Sequence, residues 1–416
     1  VTLVAAAFAV VAGLPGVTAH AKDPTVAGIT EIYGYGVAVS PDGARLFVAE
    51  WEDGGIVFVD ARSQQVTDRV SLQDLKPLSN MSPYSLALSP DGTRLFASIP
   101  FDGSIGVIDV AGRTVVETIR VSADPRDIAI APNGSRLYVA HQANDAAIVS
   151  VIDTKTSQVV ATIGRDILAG GGGPFGLAVA PDGRRLYVAL QRSDGPGEII
   201  VVSTATNEVV RSITPPEARD EPGGWQPRDI AFDVAGKRAF VGGVSMKHSL
   251  GVVDIGSHEF IGSRAACGTL DVVTSSPVGN VIYATPKQPG CNLFWMGTTS
   301  LKARNTLTMP GAYVRDMAVS PDGRRLYVTG SMGITVVDTG LRTVTFRANG
   351  GRGDMPAQVA NLPTALEGNT FIRRGFTFTG WNTKADGSGA KYRDRAQFSF
   401  ESNVVLYAQW KKTARL

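Results

Sequence analysis

One short phrase recurs seven times along the chain, and it constrains the fold more than any other feature. The clearest copy, VSPDGRRLYVTG, covers Val319–Gly330. The turn glycines of the seven copies are Gly43, Gly92, Gly134, Gly183, Gly236, Gly279 and Gly323. In this phrase proline presets φ for a type I turn, and glycine supplies the left-handed residue that follows. Because the flanking residues are apolar or alternating and rich in β-branched and aromatic types, each copy predicts a β-hairpin.

The spacing of the copies predicts how the hairpins are assembled. The turn glycines recur every 42 to 53 residues, and each interval has room for four strands. The third repeat, for example, consists of RDIAIA, RLYVA, IVSVIDT and QVVATI. A period in the forties with several strands in each repeat is the mark of a β-propeller. The sequence therefore predicts an all-β chain whose main domain is a seven-bladed β-propeller with four-stranded blades.

The seventh repeat has only three strands of its own, because the pattern changes after Asp338. We expect the segment VAGITEIYG, residues 26–34, to supply the missing outer strand, with residues 27–32 pairing with Thr335–Asp338. Closing the ring in this way removes an open sheet edge that would otherwise invite aggregation. We place the propeller at residues 22–341.

Several copies of the phrase carry a family resemblance. The tripeptides Tyr138–Ala140 and Tyr187–Ala189 and the tetrapeptide Tyr327–Gly330, together with the Ser/Ala-Pro-Asp/Asn-Gly turns, resemble the YVTN-type β-propeller repeats of exported and surface-layer-like proteins. The resemblance covers about residues 25–340. It implies the propeller fold and leaves the function open.

The C-terminal segment follows a different pattern. Its recognisable parts are Val344–Gly351, Gly375–Tyr392 and Leu406–Trp410. These parts resemble the Listeria–Bacteroides repeat, the B-repeat type of internalin-like surface proteins. The resemblance implies a small β-grasp-like module at residues 342–412, followed by a tail at residues 413–416. We predict that its two tryptophans fill the core of the module rather than contact a ligand.

The first 21 residues predict a secretory signal peptide. An apolar stretch, Val1–Leu14, precedes the small-residue triplet Ala19–Ala21, which is a typical cleavage pattern. A membrane anchor is the alternative, but the apolar run is shorter than the ~20 residues that a spanning helix needs. We therefore expect a mature chain without a stable membrane span, either secreted or held at the cell surface or envelope.

The chain has two cysteines, Cys267 and Cys291. The first precedes the innermost strand of the sixth blade, and the second lies between that blade's second and third strands. Both positions fall on the same face of a propeller, and export would place them in an oxidising compartment. We therefore predict a disulfide, with two free thiols as the alternative.

That same face is predicted to collect charged residues at the mouth of the central channel. The candidate ligand-binding residues are Arg126, Asp127, Arg228, Asp229, Asp271, Arg315 and Asp316. We treat Asp271 as equivalent to the other three aspartates after one inserted residue. One interpretation is a cation site or a polar ligand pocket, because hard cations seek several oxygen ligands. The other, which we favour, is that each aspartate accepts hydrogen bonds from backbone amides of a neighbouring blade.

Loop residues around that mouth, among them Trp51 and Phe101, are further candidates for binding, with plain solvated loops as the alternative.

Sequence patterns typical of catalytic sites are scarce. His141, His248 and His258 lack metal-ligand spacing, and the chain has no G-x-S-x-G motif. The balance of 40 basic against 38 acidic residues gives no electrostatic footprint for nucleic acid.

These observations favour a binding protein over an enzyme. We expect a monomeric, non-enzymatic binding or adhesion scaffold that presents a propeller loop face to a protein or glycan partner. We expect no catalytic residues, no bound metal and no cofactor, apart from an optional cation at the channel mouth. The alternative is an exported propeller enzyme, either a lactonase-like hydrolase or a cofactor-dependent dehydrogenase, that works at the same mouth.

Overall fold

The computed structural model divides the chain into two compact units, one spanning Pro24–Thr339 and one that contains the residues from Gly340 onward. The structure describes residues 24–72, 82–142, 149–164, 172–193, 195–214, 224–245, 249–264, 268–286, 292–299, 301, 303–309, 313–361 and 363–413. The predicted signal peptide and both cysteines lie outside these residues, so the predicted cleavage and disulfide stay predictions. The described part is all-β, apart from a short 3₁₀ helix at Pro100–Asp102.

The larger unit is a propeller of seven four-stranded antiparallel blades, as the sequence predicts. The first three blades comprise β2 (Gly34–Val39), β3 (Arg45–Glu50), β4 (Gly55–Asp60) and β5 (Val66–Ser71); β6 (Leu86–Leu88), β7 (Arg94–Ile99), β8 (Ser104–Asp109) and β9 (Thr114–Arg120); and β10 (Pro125–Ile130), β11 (Arg136–His141), β12 (Val149–Asp153) and β13 (Gln158–Ile163).

The next three blades comprise β14 (Gly173–Val179), β15 (Arg185–Gln191), β16 (Glu198–Ser203) and β17 (Val209–Ile213); β18 (Gln226–Phe232), β19 (Arg238–Val244), β20 (Leu250–Asp254) and β21 (Glu259–Arg264); and β22 (Leu270–Ser275), β23 (Val281–Pro286), β24 (Leu293–Gly297) and β25 (Ala303–Leu307). The seventh comprises β26 (Val314–Val319), β27 (Arg325–Gly330), β28 (Gly333–Asp338) and the N-terminal strand β1 (Thr25–Thr30).

The repeated turns connect the first and second strands of each blade. All seven turn glycines have a left-handed φ, between 62° and 81°. The amide of Gly43 closes its turn onto the carbonyl of Ser40 at 2.8 Å, and Gly323 does the same onto Ser320 at 2.7 Å. The divergent copies keep this conformation at Gly236 and Gly279. The hairpin prediction is therefore confirmed in every blade.

The ring closes through strands from both ends of the unit. β1 pairs antiparallel with β28, and Thr25 lies opposite Asp338 while Ile29 lies opposite Thr335. The predicted pairing is confirmed, although the strand starts at Thr25 and contains a bulge between Val26 and Gly28. The Thr329 hydroxyl also donates to the Tyr35 carbonyl at 2.6 Å, which joins the seventh blade directly to the first.

The tyrosine of the repeated phrase explains how neighbouring blades pack. Tyr138 is buried in a cluster with Leu186 of the next blade, and Tyr327 is buried in a cluster with Leu46 of the first blade. Phe47 holds the equivalent position in the first blade and packs with Leu95 of the second. An aromatic side chain at this position therefore fills each blade interface, which accounts for its recurrence in the sequence.

The smaller unit is a separate β-domain. Its five-stranded sheet has the order β30 (Gln358–Ala360), β29 (Arg342–Arg347), β35 (Val404–Lys412), β32 (Phe376–Asn382) and β33 (Lys391–Tyr392), and β31 (Thr364–Ala365) pairs with β34 (Gln397–Phe398). β29 and β35 are parallel. Trp381 is 1% exposed in the core against Phe346 and Phe378, and half-buried Trp410 donates its indole N–H to the Ala348 carbonyl.

Candidate functional site

Each blade contributes one side chain to a ring around the channel mouth, from its first strand or, in the second blade, from just before that strand. These residues, which we call the mouth ring, are Tyr35, Tyr84, Arg126, Phe175, Arg228, Asp271 and Arg315. In the fifth blade the strand pairing passes from Pro227 directly to Asp229, so Arg228 sits in a bulge. The same register irregularity spans the ring position in five other blades. The bulge re-aims one side chain per blade, as bulges next to functional sites commonly do.

Each arginine of the mouth ring stacks on an aromatic ring from an adjacent blade. The guanidinium carbon of Arg126 lies 5.0 Å from the centre of the Tyr84 ring. Arg228 stacks on Phe175 at 4.9 Å, and Arg315 stacks on Tyr35 at the same distance. Cation–π contact of this kind fixes the guanidinium plane. The Arg126 guanidinium is also paired with the Asp124 carboxylate at 2.8 Å.

Two further contacts extend the mouth ring. The Tyr35 and Tyr84 rings lie 5.1 Å apart, and the Arg228 guanidinium pairs with the Asp271 carboxylate at 2.8 Å. The ring therefore carries three guanidinium groups and one carboxylate, a formal charge of +2. Three stacked arginine–aromatic pairs thus surround the opening.

The structure corrects our placement of Asp271. In the sixth blade Leu270 pairs with Pro286 and Val272 with Thr285, the same register as Pro227 and Asp229 in the fifth blade. No residue is inserted, so Asp271 is equivalent to Arg228 and not to Asp229. The sequence prediction aligned Asp271 with the other three aspartates by assuming one inserted residue, and the strand register contains no such insertion. Asp271 accordingly pairs with an arginine, unlike the other three aspartates.

The residue after each mouth-ring residue lies where adjacent blades meet, and we call it the junction position. In three blades it is an aspartate whose carboxylate accepts a backbone N–H from the first strand of the next blade. The donors are Leu177 for Asp127 at 2.8 Å, Val273 for Asp229 at 2.8 Å and Val37 for Asp316 at 2.9 Å. This geometry agrees with the structural role that we favour for these carboxylates.

In three of the other four blades the junction position holds a small residue, because the neighbouring backbone comes very close; the sixth blade has Val272 there. A Cβ atom on Gly176 would lie 2.3 Å from the Arg228 carbonyl oxygen, and one on Gly36 would lie 2.9 Å from the Tyr84 carbonyl oxygen. Ser85 fits and donates its hydroxyl to Asp127 at 3.0 Å. The junction position therefore either permits close approach of two blades or bridges them by a hydrogen bond.

The three junction aspartates have perturbed acidity. Burial raises the pKa of Asp127 to about 6, of Asp229 to about 7 and of Asp316 to about 8, although backbone N–H donors act against the shift. Near pH 5 these carboxyls are neutral and the ring charge of +2 dominates. Above pH 8 they add three negative charges, so the net charge of the mouth becomes −1.

A cavity of ≈ 120 Å³ lies inside the mouth ring and is lined by ring and junction residues together. At about 30 Å³ per water in the liquid, this volume corresponds to roughly four waters. Across the described ranges, no group of three or more His, Cys, Asp or Glu side chains is placed to hold a metal ion. The possible cation at the channel mouth stays a prediction, and the junction carboxylates there accept backbone amides of the neighbouring blades.

The arginines and aspartates of the mouth were predicted, but their aromatic partners were missed. Tyr35, Tyr84 and Phe175 each lie eight residues before their turn glycine, as do Arg126 and Arg228. Aligning the seven repeats on the turn glycine would have revealed the whole mouth ring, and would also have placed Asp271 correctly. The sequence prediction rested on charged residues alone, so it did not reveal that all seven repeats share this position.

A loop residue extends the aromatic surface beyond the cavity. Trp51, between β3 and β4, is 56% exposed, and its ring centre lies 5.9 Å from that of Tyr35.

His141 lies in the interior of the propeller, where its Nε2 shares a hydrogen bond with the Ser150 hydroxyl at 2.8 Å. Among the described residues, no helix has the length and apolar composition needed to cross a bilayer.

Two family models match the chain. Residues 343–409 match the Listeria–Bacteroides repeat domain, and residues 37–172 match the lactonase family of seven-bladed β-propellers. A curated relative from Evansella cellulosilytica, described as a putative Gly-rich membrane protein, is 49% identical over 43 residues. That match covers 10% of this chain and only 5% of the relative's length.

Solved structures share the propeller architecture. Hydrazine synthase from Kuenenia stuttgartiensis superposes with a TM-score of 0.63 at 20% identity, over 75% of this chain and 97% of that chain. A chain of the mitotic checkpoint complex superposes with a TM-score of 0.62 at 17% identity, over 81% of this chain and 98% of that chain. Likeness at this level of identity concerns the fold alone. The chain therefore combines a seven-bladed β-propeller, matched over its first blades by the lactonase family, with a C-terminal Listeria–Bacteroides repeat domain.

Proposed function

We propose that the protein is a binding module of the cell surface or envelope that holds an acidic sugar at the mouth of the propeller. The observation that carries this proposal is the set of three stacked guanidinium–aromatic pairs around the cavity. It narrows the broader expectation of a protein or glycan partner to a glycan.

The chemistry of the mouth suits such a ligand in three ways. Aromatic faces pack against the apolar C–H face of a sugar. A guanidinium held by stacking offers two parallel N–H donors, which match the two oxygens of a carboxylate. The carboxyls of the cavity wall can accept hydrogen bonds from sugar hydroxyls.

Two other features favour binding over catalysis and a location outside the cell. The junction aspartates use their oxygens to hold neighbouring blades together, which restrains them from moving during a reaction. Listeria–Bacteroides repeat domains are typical of surface proteins, and residues 343–409 match that family. A surface protein with a rigid, loop-bearing propeller is well suited to present a binding site.

The proposal is tested by isothermal titration of the full chain with glucuronic acid, and with galactose as the neutral control. We expect glucuronic acid to bind at pH 5.5, galactose to bind far less, and Arg315→Gln to weaken binding by about tenfold through loss of one charged contact. Arg62→Gln, in the turn between β4 and β5, is the matched control and should bind normally. Equal heats for both sugars, or an unaffected Arg315→Gln variant, would contradict the proposal.

A second candidate function is lactone hydrolysis, which the family match at residues 37–172 favours. Asp229, with a pKa of about 7, has the acidity of a general base at neutral pH. This candidate predicts acid release from sugar lactones that Asp229→Asn abolishes. Turnover no faster than the uncatalysed reaction, across a lactone panel, would reject it.

A further inference from the structure

We propose that the bound glycan leaves the cavity over Trp51, so that the site recognises an oligosaccharide with an acidic terminal unit followed by a neutral unit. This inference rests on the proposed function, because it takes the acidic unit to lie within the mouth ring. It adds a second subsite, a direction for the chain and a charge pattern for the ligand.

The direction follows from an aromatic ring that borders the cavity from outside. Tyr84 and Tyr35 line the cavity with their centres 5.1 Å apart, and the Trp51 ring lies 5.9 Å from that of Tyr35. Trp51 does not line the cavity and is 56% exposed. A chain that fills the cavity and leaves it past Tyr35 therefore meets the Trp51 side chain next.

The backbone of Trp51 is anchored on both sides to the site. Its N–H donates to the Tyr33 carbonyl at 3.1 Å, and its carbonyl accepts the Ser82 hydroxyl at 3.0 Å. Tyr33 and Ser82 belong to the segments that lead directly into the ring residues Tyr35 and Tyr84. The exposed indole is thus held in a fixed position relative to the cavity, as a preorganised contact requires.

The charges around the two subsites differ in sign. The cavity is lined by the Arg228 and Arg315 guanidinium groups and by Asp271 and the three junction aspartates. Burial raises the pKa values of the junction aspartates, so near pH 5 they add no negative charge to the cavity. Exposed Glu52 and Asp53, in contrast, follow Trp51 directly in its loop. A carboxylate is attracted to the cavity and repelled beside Trp51. Hydroxyl groups of a neutral sugar, in contrast, can donate to acidic side chains there. The terminal unit is therefore acidic and the next unit neutral.

The test compares ligands of one unit and of two or more units by isothermal titration at pH 5.5. The single-unit probes are glucuronic acid and N-acetylneuraminic acid. The longer probes are a glucuronyl-galactose disaccharide and sialyllactose, which place a neutral unit next to the acidic one. Comparing the two pairs distinguishes a uronate ligand from a sialate ligand.

We expect a longer probe to bind the native protein about five- to tenfold more tightly than its single-unit counterpart, the size of one aromatic contact. Trp51→Ala should remove that difference without weakening the single-unit probe. Phe101→Ala is the matched control, because Phe101 is 78% exposed in the corresponding loop of the second blade and does not line the cavity. It should leave every affinity unchanged.

The outcomes separate the inference from the proposed function. Single-unit binding with no gain for longer probes, or a gain that survives Trp51→Ala, overturns the inference and leaves the mouth-ring proposal standing. If no acidic probe binds the native protein, the proposed function and the inference both fail. Since Trp51 is an exposed side chain, its removal should not prevent folding, and near-ultraviolet circular dichroism checks this.

Discussion

At the scale of single residues, the junction aspartates combine a structural role with unusual acidity. Each carboxylate joins two blades by accepting a backbone N–H, yet burial disfavours its charged form. The folded pKa values of about 6, 7 and 8 lie above the ordinary value of 3.8. Between pH 4 and pH 8 the folded protein therefore holds more protons than the unfolded chain, and stability decreases as pH rises through this window.

This linkage predicts a measurable difference between acidic and alkaline conditions. We expect the free energy of unfolding, measured with denaturant, to be lower at pH 8.5 than at pH 5 by several kcal/mol, because the three folded pKa values lie above pH 5 and each pKa unit corresponds to about 1.4 kcal/mol. Replacing Asp127, Asp229 and Asp316 with Asn should remove most of the difference. Asp42→Asn is the control, since hydrogen bonds from Ser40 and Ala44 lower its pKa and place its titration below this window. A triple variant that keeps the full pH dependence would contradict the assignment.

At the scale of elements, the junction position determines how closely two blades approach. We predict that Gly176→Ala destabilises the propeller by about 1–3 kcal/mol, because the new Cβ would overlap the Arg228 carbonyl of the fifth blade. Gly195→Ala is the control, since a Cβ at that position meets no atom within 4 Å. Thermal unfolding of the two variants tests the prediction, and equal midpoints would refute it.

The first strands of the blades show what the sequence could and could not predict. The turn glycines, the blade number and the closing strand were predictable, because turn chemistry and strand periodicity are local properties of the chain. The stacking of Arg228 on Phe175 was not, because it depends on a bulge that turns one residue of each first strand into the mouth. Asp271 was misplaced for the same reason. Residue type alone does not reveal a strand register.

At the scale of the whole molecule, the chain contains two units with separate hydrophobic cores. The smaller unit buries Trp381, Phe400 and Leu406 in a cluster of its own. The larger unit depends on closure, since its seventh blade is complete only when β1 pairs with β28. We therefore expect calorimetry to record two unfolding transitions, because each core can melt without the other.

Deletion of β1 should affect these two transitions differently. A variant that starts at Glu31 loses the outer strand of the seventh blade and exposes β28 as an open edge, which destabilises the ring and promotes aggregation. We expect the propeller midpoint to fall by about 5–10 °C, while the midpoint of the smaller unit stays unchanged. A variant that starts at Pro24 retains β1 and serves as the control. If both transitions shift together in the Glu31 variant, the two cores do not unfold independently. If neither transition shifts, β1 is dispensable for stability. The contacts of Thr329 with Tyr35 and of Asp316 with Val37 then close the ring without it.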